Sequence, residues 1–226
     1  MDAPAAASSG APSLLWTVGL GALTVCCCRI CLGVQRTYGY WQVCKAATAT
    51  ATNLRGSWQA GAKSTWFRVN DVIMGGRSES QLVVDSSGRL VFSGTISTVG
   101  GGFASMRTSE ATSVSVPRGA KKLRVTVEGD GQLWKVNLGL SHALMDRKPT
   151  WTHDFHTKAG EKTTHELLLS SFDAQIRGDK VAGAVLDTSE VCYLGLILSL
   201  VTQDGKPNPH FGDGPFRLVL HELEFE

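Results

Sequence analysis

The part of this sequence that reads as a globular domain is nearly without cysteine. Five of the six, Cys26, Cys27, Cys28, Cys31 and Cys44, stand in an N-terminal arm, and only Cys192 lies beyond it. No disulfide can close within such a domain, which fits a reducing compartment and excludes a secreted module stapled by disulfides. A strong charge of either sign is also lacking. The net charge is +2, but Arg29, Arg36, Lys45 and Arg55 against Asp2 give the arm up to Ala60 roughly +3, leaving roughly −1 for the rest. The domain is therefore not a basic nucleic-acid binder.

Compact signatures of chemistry are missing as well. There is no Gly-x-Ser-x-Gly elbow, and Gly100-Gly101-Gly102 is followed by no Gly-Lys-Ser/Thr of a phosphate loop. Asp204, Asn208 and Asp213 offer oxygen ligands but lack the order of a calcium loop. Cys28 and Cys31 have no second pair to complete a zinc site. In His153-Asp154-Phe155-His156, a strand would put Asp154 and His156 on one face and turn His153 away, short of the three or four converging ligands a metal needs. Cys192, in an apolar run, reads as core. The expectation is a non-enzymatic chain with no catalytic residue, no cofactor, no metal and no small-molecule substrate.

What is present begins with one apolar segment. Residues 1–13 are rich in Ala, Ser and Pro and read as a flexible start; 14–34 then form about 21 residues whose only charge is Arg29, close to a bilayer-spanning helix. Trp16 on one side and Trp41 on the other suit the two interfacial belts, and Arg29 can snorkel. Arg36 and the other cations follow the segment, so the positive-inside rule puts the domain on the matrix-like or cytosol-like face. The other reading is a signal or targeting segment, against which stands the absence of a basic start. Residues 35–60 read as a linker and 61–226 as the domain.

Within the domain, short alternating runs are separated by Gly, Pro and Asp, the pattern of an all-β sandwich. Leu90, Phe92 and Ile96 share one side of a strand in which Gly94 marks a bulge or close approach. Gly100 to Gly102 predict a hairpin-like turn into Phe103 to Arg107. Leu123, Val125 and Val127, then Gly129-Asp130-Gly131, then Trp134, Val136, Leu138 and Leu140 predict a second hairpin. Further strands are expected around 151–157, 164–169, 193–201 and 216–225. In the last, Phe216, Leu218 and Leu220 are out of phase with Leu223 and Phe225, which requires a bulge near His221-Glu222.

The block from Trp66 through Asn70-Asp71, Met74, Gly75-Gly76 and Ser78, followed by Phe92-Ser93-Gly94 and Gly101-Gly102-Phe103-Ala104-Ser105-Met106-Arg107, resembles the signature of the complex I intermediate-associated protein 30 family. Asp130-Gly131 within Gly129 to Trp134, the strand Trp151 to Phe155, Phe172, Arg177-Gly178, Leu194 to Leu196 and Gly214 to Leu218 match its elements in the same order. The resemblance implies a jelly-roll β-sandwich similar to galactose-binding domains. It implies a non-catalytic assembly factor or accessory subunit of respiratory complex I, NADH:ubiquinone oxidoreductase. The partners would be complex I subunits or assembly intermediates, with membrane lipid around 14–34. The place would be the mitochondrial inner membrane with the domain on the matrix side, or else a plastid membrane. The alternative uses of such a fold are a carbohydrate or small-ligand module and a photosystem assembly factor. Asp71, Arg107 and Asp130 belong to the motif elements, and Arg107 is expected to pair with the Asn70-Asp71 turn or with Asp130. Met74, at a Gly-flanked tip, is expected to face a partner.

Overall fold

The computed structural model describes residues 66–226 except 111, 113 and 144–146. The expected membrane segment at 14–34, with Trp16, Arg29, Arg36 and Trp41, lies outside the described residues. Among those described, no helix is long and apolar enough to cross a membrane.

Among the described residues, twelve strands form two antiparallel sheets. They are β1 (Trp66–Asn70), β2 (Glu79–Val84), β3 (Leu90–Ile96), β4 (Phe103–Thr108), β5 (Lys122–Glu128), β6 (Leu133–Gly139), β7 (Thr150–His156), β8 (Lys162–Leu168), β9 (Asp173–Ile176), β10 (Asp179–Lys180), β11 (Tyr193–Ser199) and β12 (Gly214–Phe225). The larger sheet runs β1-β4-β11-β6-β7-β9-β10, the smaller β2-β3-β12-β5-β8. Between them the inward set of each strand packs into one core. Phe92 from the smaller sheet meets Trp134 from the larger edge-to-face at 6.1 Å, and Phe216 tilts against Phe92 and meets Trp134 edge-to-face. Leu123, Val125 and Val127 are fully buried, as are Val136, Leu138, Leu194, Leu196 and Leu198 opposite, so alternation with a period of two supplies both walls.

Two expected hairpins are instead crossings between sheets. β5 pairs with β12 and β8, whereas β6 pairs with β11 and β7. Likewise β3 and β4 lie in different sheets. Both members of each pair bury their apolar side in the same core, and periodicity shows which side is buried without showing which strand is the neighbour. The Gly129-Asp130-Gly131 turn makes one crossing. Gly131 is at φ +90°, and a Cβ on Gly129 would lie 2.2 Å from the Thr157 side chain. The Gly94 expectation holds, since a Cβ there would fall 2.0 Å from the Glu79 carbonyl oxygen. The phase change in β12 is also present: Leu220 pairs with Val127 and Glu222 with Thr126, leaving His221 as the extra residue.

Candidate functional site

Asn70 ends β1, and Asp71–Met74 form a 3₁₀ turn that Gly75 closes in the left-handed region at φ +91°. The Gly75 N–H donates to the Val72 carbonyl and the Gly76 N–H to that of Asp71. The Asp71 side chain is folded inward and wholly buried. Its Oδ1 accepts from the Ser78 N–H at 3.0 Å, and its Oδ2 from the Ser78 hydroxyl at 2.7 Å, the Gly102 N–H at 2.8 Å and the Phe103 N–H at 3.3 Å. Asp71 therefore clasps two loops that are distant in sequence. Gly76 and Gly101 make the clasp possible, because a Cβ on either would lie 2.2 Å or 2.3 Å from the Asp71 carboxyl group. Asn70 reinforces the first loop, its Nδ2 donating to the Ser78 carbonyl at 3.2 Å and its Oδ1 accepting from the Ser80 hydroxyl at 2.7 Å.

Asp130 does similar work at the other crossing. Its Oδ1 accepts from the Gln132 N–H and the Trp134 indole N–H, and its Oδ2 from the Gln132 amide and the Arg217 N–H. Neither carboxyl group meets Arg107, so the expected ion pair is not formed. Backbone amides are nearer and already oriented by the turns, which leaves the guanidinium for another neighbour. The Arg107 guanidinium lies 4.9 Å from the Tyr193 ring centre and 5.9 Å from that of Phe67, a cation–π arrangement on the outer face of the larger sheet.

With Asp71 turned inward, the turn's apolar residues point out. Val72, Ile73 and Met74 are 60%, 51% and 66% exposed. Met74 is thus at a loop tip, and contiguous apolar surface of this kind marks interaction sites more often than scattered single residues do.

Below this tip the outer face of the larger sheet is concave, with a cavity of about 710 Å³. Ile73, Met74, Gly101, Gly102 and Phe103 contribute to its rim. On its floor stand Lys135 and Asn137 from β6 with Thr152 from β7, Asn137 and Thr152 being register partners. Tyr193 lies across Gly139, where a Cβ would come within 1.8 Å of its ring, and His142 flanks the same ring at 5.8 Å. Lys135 is only 4% exposed. Gln175, anchored by donating to the Thr202 and Gln203 carbonyls, turns its Oε1 toward Lys135 Nζ at 3.4 Å. Burial pushes the Lys135 ammonium down to about 8, offset in part by the negative charge of Asp154. Burial likewise raises Asp154, whose Oδ2 accepts from the Gln203 N–H at 2.9 Å.

The structure thus brings Asn70, Asp71, Gly75, Gly76, Ser78, Gly101, Gly102 and Phe103 into one clasp, with Met74 above it and Arg107 on the adjoining sheet face. Asp130 and Gly131 belong to a separate turn. The cavity floor is outside the sequence-predicted set. Its only sequence signal is the pair Lys135 and Asn137, alternating with the core residues Trp134, Val136 and Leu138. Among the described residues no group of three His, Cys, Asp or Glu side chains converges on a common point.

A family model described as complex I intermediate-associated protein 30 matches residues 57–220. The chain belongs to that family. The clasp around Asp71 and the turn around Asp130 both lie inside the matched span, and so does the cavity. A search of curated proteins finds no match. Solved structures of similar architecture include a family 11 carbohydrate-binding module from Clostridium thermocellum in complex with a mixed-linked tetrasaccharide. It is 13% identical, with 73% of this chain and 91% of that one covered and a TM-score of 0.47. Another is a mutant family 29 carbohydrate-binding module at 11% identity, 74% and 84% coverage and a TM-score of 0.38. A third, TmCBM61 in complex with β-1,4-galactotriose, is 10% identical with 79% and 97% coverage and a TM-score of 0.37. The sugars belong to those modules.

Proposed function

We propose that this member of the complex I intermediate-associated protein 30 family is a non-catalytic factor that acts through protein contacts. It is either an assembly factor of mitochondrial respiratory complex I or an accessory subunit that stays in the enzyme. A helix at 14–34 anchors it in the inner membrane, with the sandwich on the matrix side. The family match over 57–220 supports the connection with complex I. The observation that supports protein contact is the Val72-Ile73-Met74 tip, apolar and exposed, on loops that the buried Asp71 holds in place. A preorganised loop loses little conformational freedom on docking, so its apolar area contributes more fully to affinity.

Met74→Asp puts a charge at the centre of this tip without touching the Asp71 clasp. The variant should fold with an unchanged melting temperature and incorporate poorly into complexes containing complex I subunits, measured by native electrophoresis and mass spectrometry. Normal incorporation would move the docking surface elsewhere.

A further inference from the structure

The cavity on the outer face of the larger sheet is cationic in its described lining. Among its described lining residues four are cationic, Arg107 from β4, Lys135 from β6, Lys148 before β7 and Arg177 from the turn between β9 and β10, and none is Asp or Glu. Two of these cations have settings that leave charge facing the cavity. Arg107 stacks on Tyr193 and makes no ion pair with a described residue. Lys135 is buried, yet its hydrogen-bond partner is a neutral amide oxygen at 3.4 Å. A buried ammonium is costly unless an anion and good hydrogen bonds accompany it. The nearest carboxyl group, Asp154, faces Lys135 across the β6–β7 ladder and offsets part of its charge; its Oδ2 accepts from the Gln203 N–H, while its Oδ1 makes no hydrogen bond to Lys135.

The same floor carries unspent hydrogen-bonding capacity. Asn137 Oδ1 and Thr152 Oγ1 are buried and have no partner among the described residues, and Thr152 as a whole is only 3% exposed. Buried polar atoms left in this way call for an explanation, and an unseen ligand is one. Around them, Val69, Phe103, Ile197 and Val201 add apolar lining. Polar groups converging in a concave, partly apolar space of this volume form the usual makeup of a small-molecule site. A neutral sugar would want a bare aromatic face, and the Tyr193 ring is already flanked by Arg107 and His142.

We infer that this cavity binds a small organic phosphate, its charged group between Arg107 and Lys135, its hydroxyls toward Asn137 and Thr152, and its apolar part against Val69 and Ile197. The phosphate belongs either to a soluble metabolite or to the headgroup of a phospholipid. The inference stands apart from the docking role of the Met74 tip, and either can fail alone.

The test uses the full 226-residue chain, titrated with inorganic phosphate, glycerol 3-phosphate and short-chain phosphatidylglycerol. Sodium chloride at matched ionic strength and short-chain phosphatidylcholine serve as controls. Thermal melting and calorimetry should show saturable binding of at least one phosphate probe. Lys135→Met and Arg107→Gln should each weaken it about tenfold or more, the effect of losing one charge-assisted hydrogen bond. Lys135→Met should melt no lower than the parent, which separates lost binding from lost folding. Binding of phosphatidylglycerol alone would identify a headgroup as the ligand, and binding of the soluble phosphates alone a metabolite. The inference is overturned if no phosphate probe acts beyond the controls, or if both variants bind as the parent does.

Discussion

Asp71 holds two loops of the family motif together, because a single carboxyl group satisfies three backbone N–H groups and a hydroxyl across them. Asp71→Asn would aim an NH₂ group at donors, leaving buried groups unsatisfied, and should cost about 3 kcal/mol in denaturant unfolding. Arg107→Ala removes its cation–π contacts with Tyr193 and Phe67 and should cost about 1 kcal/mol in the same measurement. Lys135 behaves in the opposite sense. It releases its proton near pH 8 in the folded chain, whereas the unfolded chain holds it to about 10.4. Between those limits the unfolded state binds more protons, so this group makes stability rise with pH, by at most about 3 kcal/mol. Lys135→Met should remove that rise and be neutral or stabilising at pH 7, both readable from melts across the range. The importance of Asp71 is visible in its sequence neighbourhood of Asn, Gly and Ser, but its partners at Gly102 and Phe103 are not, because nothing local connects loops so far apart. Arg107 was misread for the same reason: opposite charges suggest a pair, and only the fold shows that backbone amides reach the carboxylate first.

At the scale of elements, the strands whose apolar residues alternate were legible, including β3, β5 to β8, β11 and the bulged β12. Strands β1, β2, β9 and β10 were not. β9 and β10 are short, and β2 shows a mostly exposed edge whose Val83 and Val84 are 49% and 40% exposed, so neither gives a clear period. Sheet partnership was illegible wherever chain neighbours face each other across the core, as β5 and β6 do. Gly129 records this crossing physically. Gly129→Ala should be tolerated in a simple hairpin turn, but here its Cβ meets Thr157, and the overpacking should destabilise the domain by about 1 to 3 kcal/mol in thermal or chemical unfolding.

For the whole molecule, the matched family span and the sandwich describe one domain, and the two features proposed for function, the Met74 tip and the cationic cavity beside it, both lie on its outer surface. Neither lies in the core that makes the fold, so variants at either can test the proposals without unfolding the domain. The cavity escaped the sequence because alternation marks Lys135 and Asn137 as outward-facing without saying that the face is concave. The proposed role in complex I is tested most directly by quantitative mass spectrometry of native membrane complexes resolved by size. The chain should comigrate with complex I or with smaller assemblies that contain complex I subunits. Migration alone, or only with complexes lacking those subunits, would contradict it.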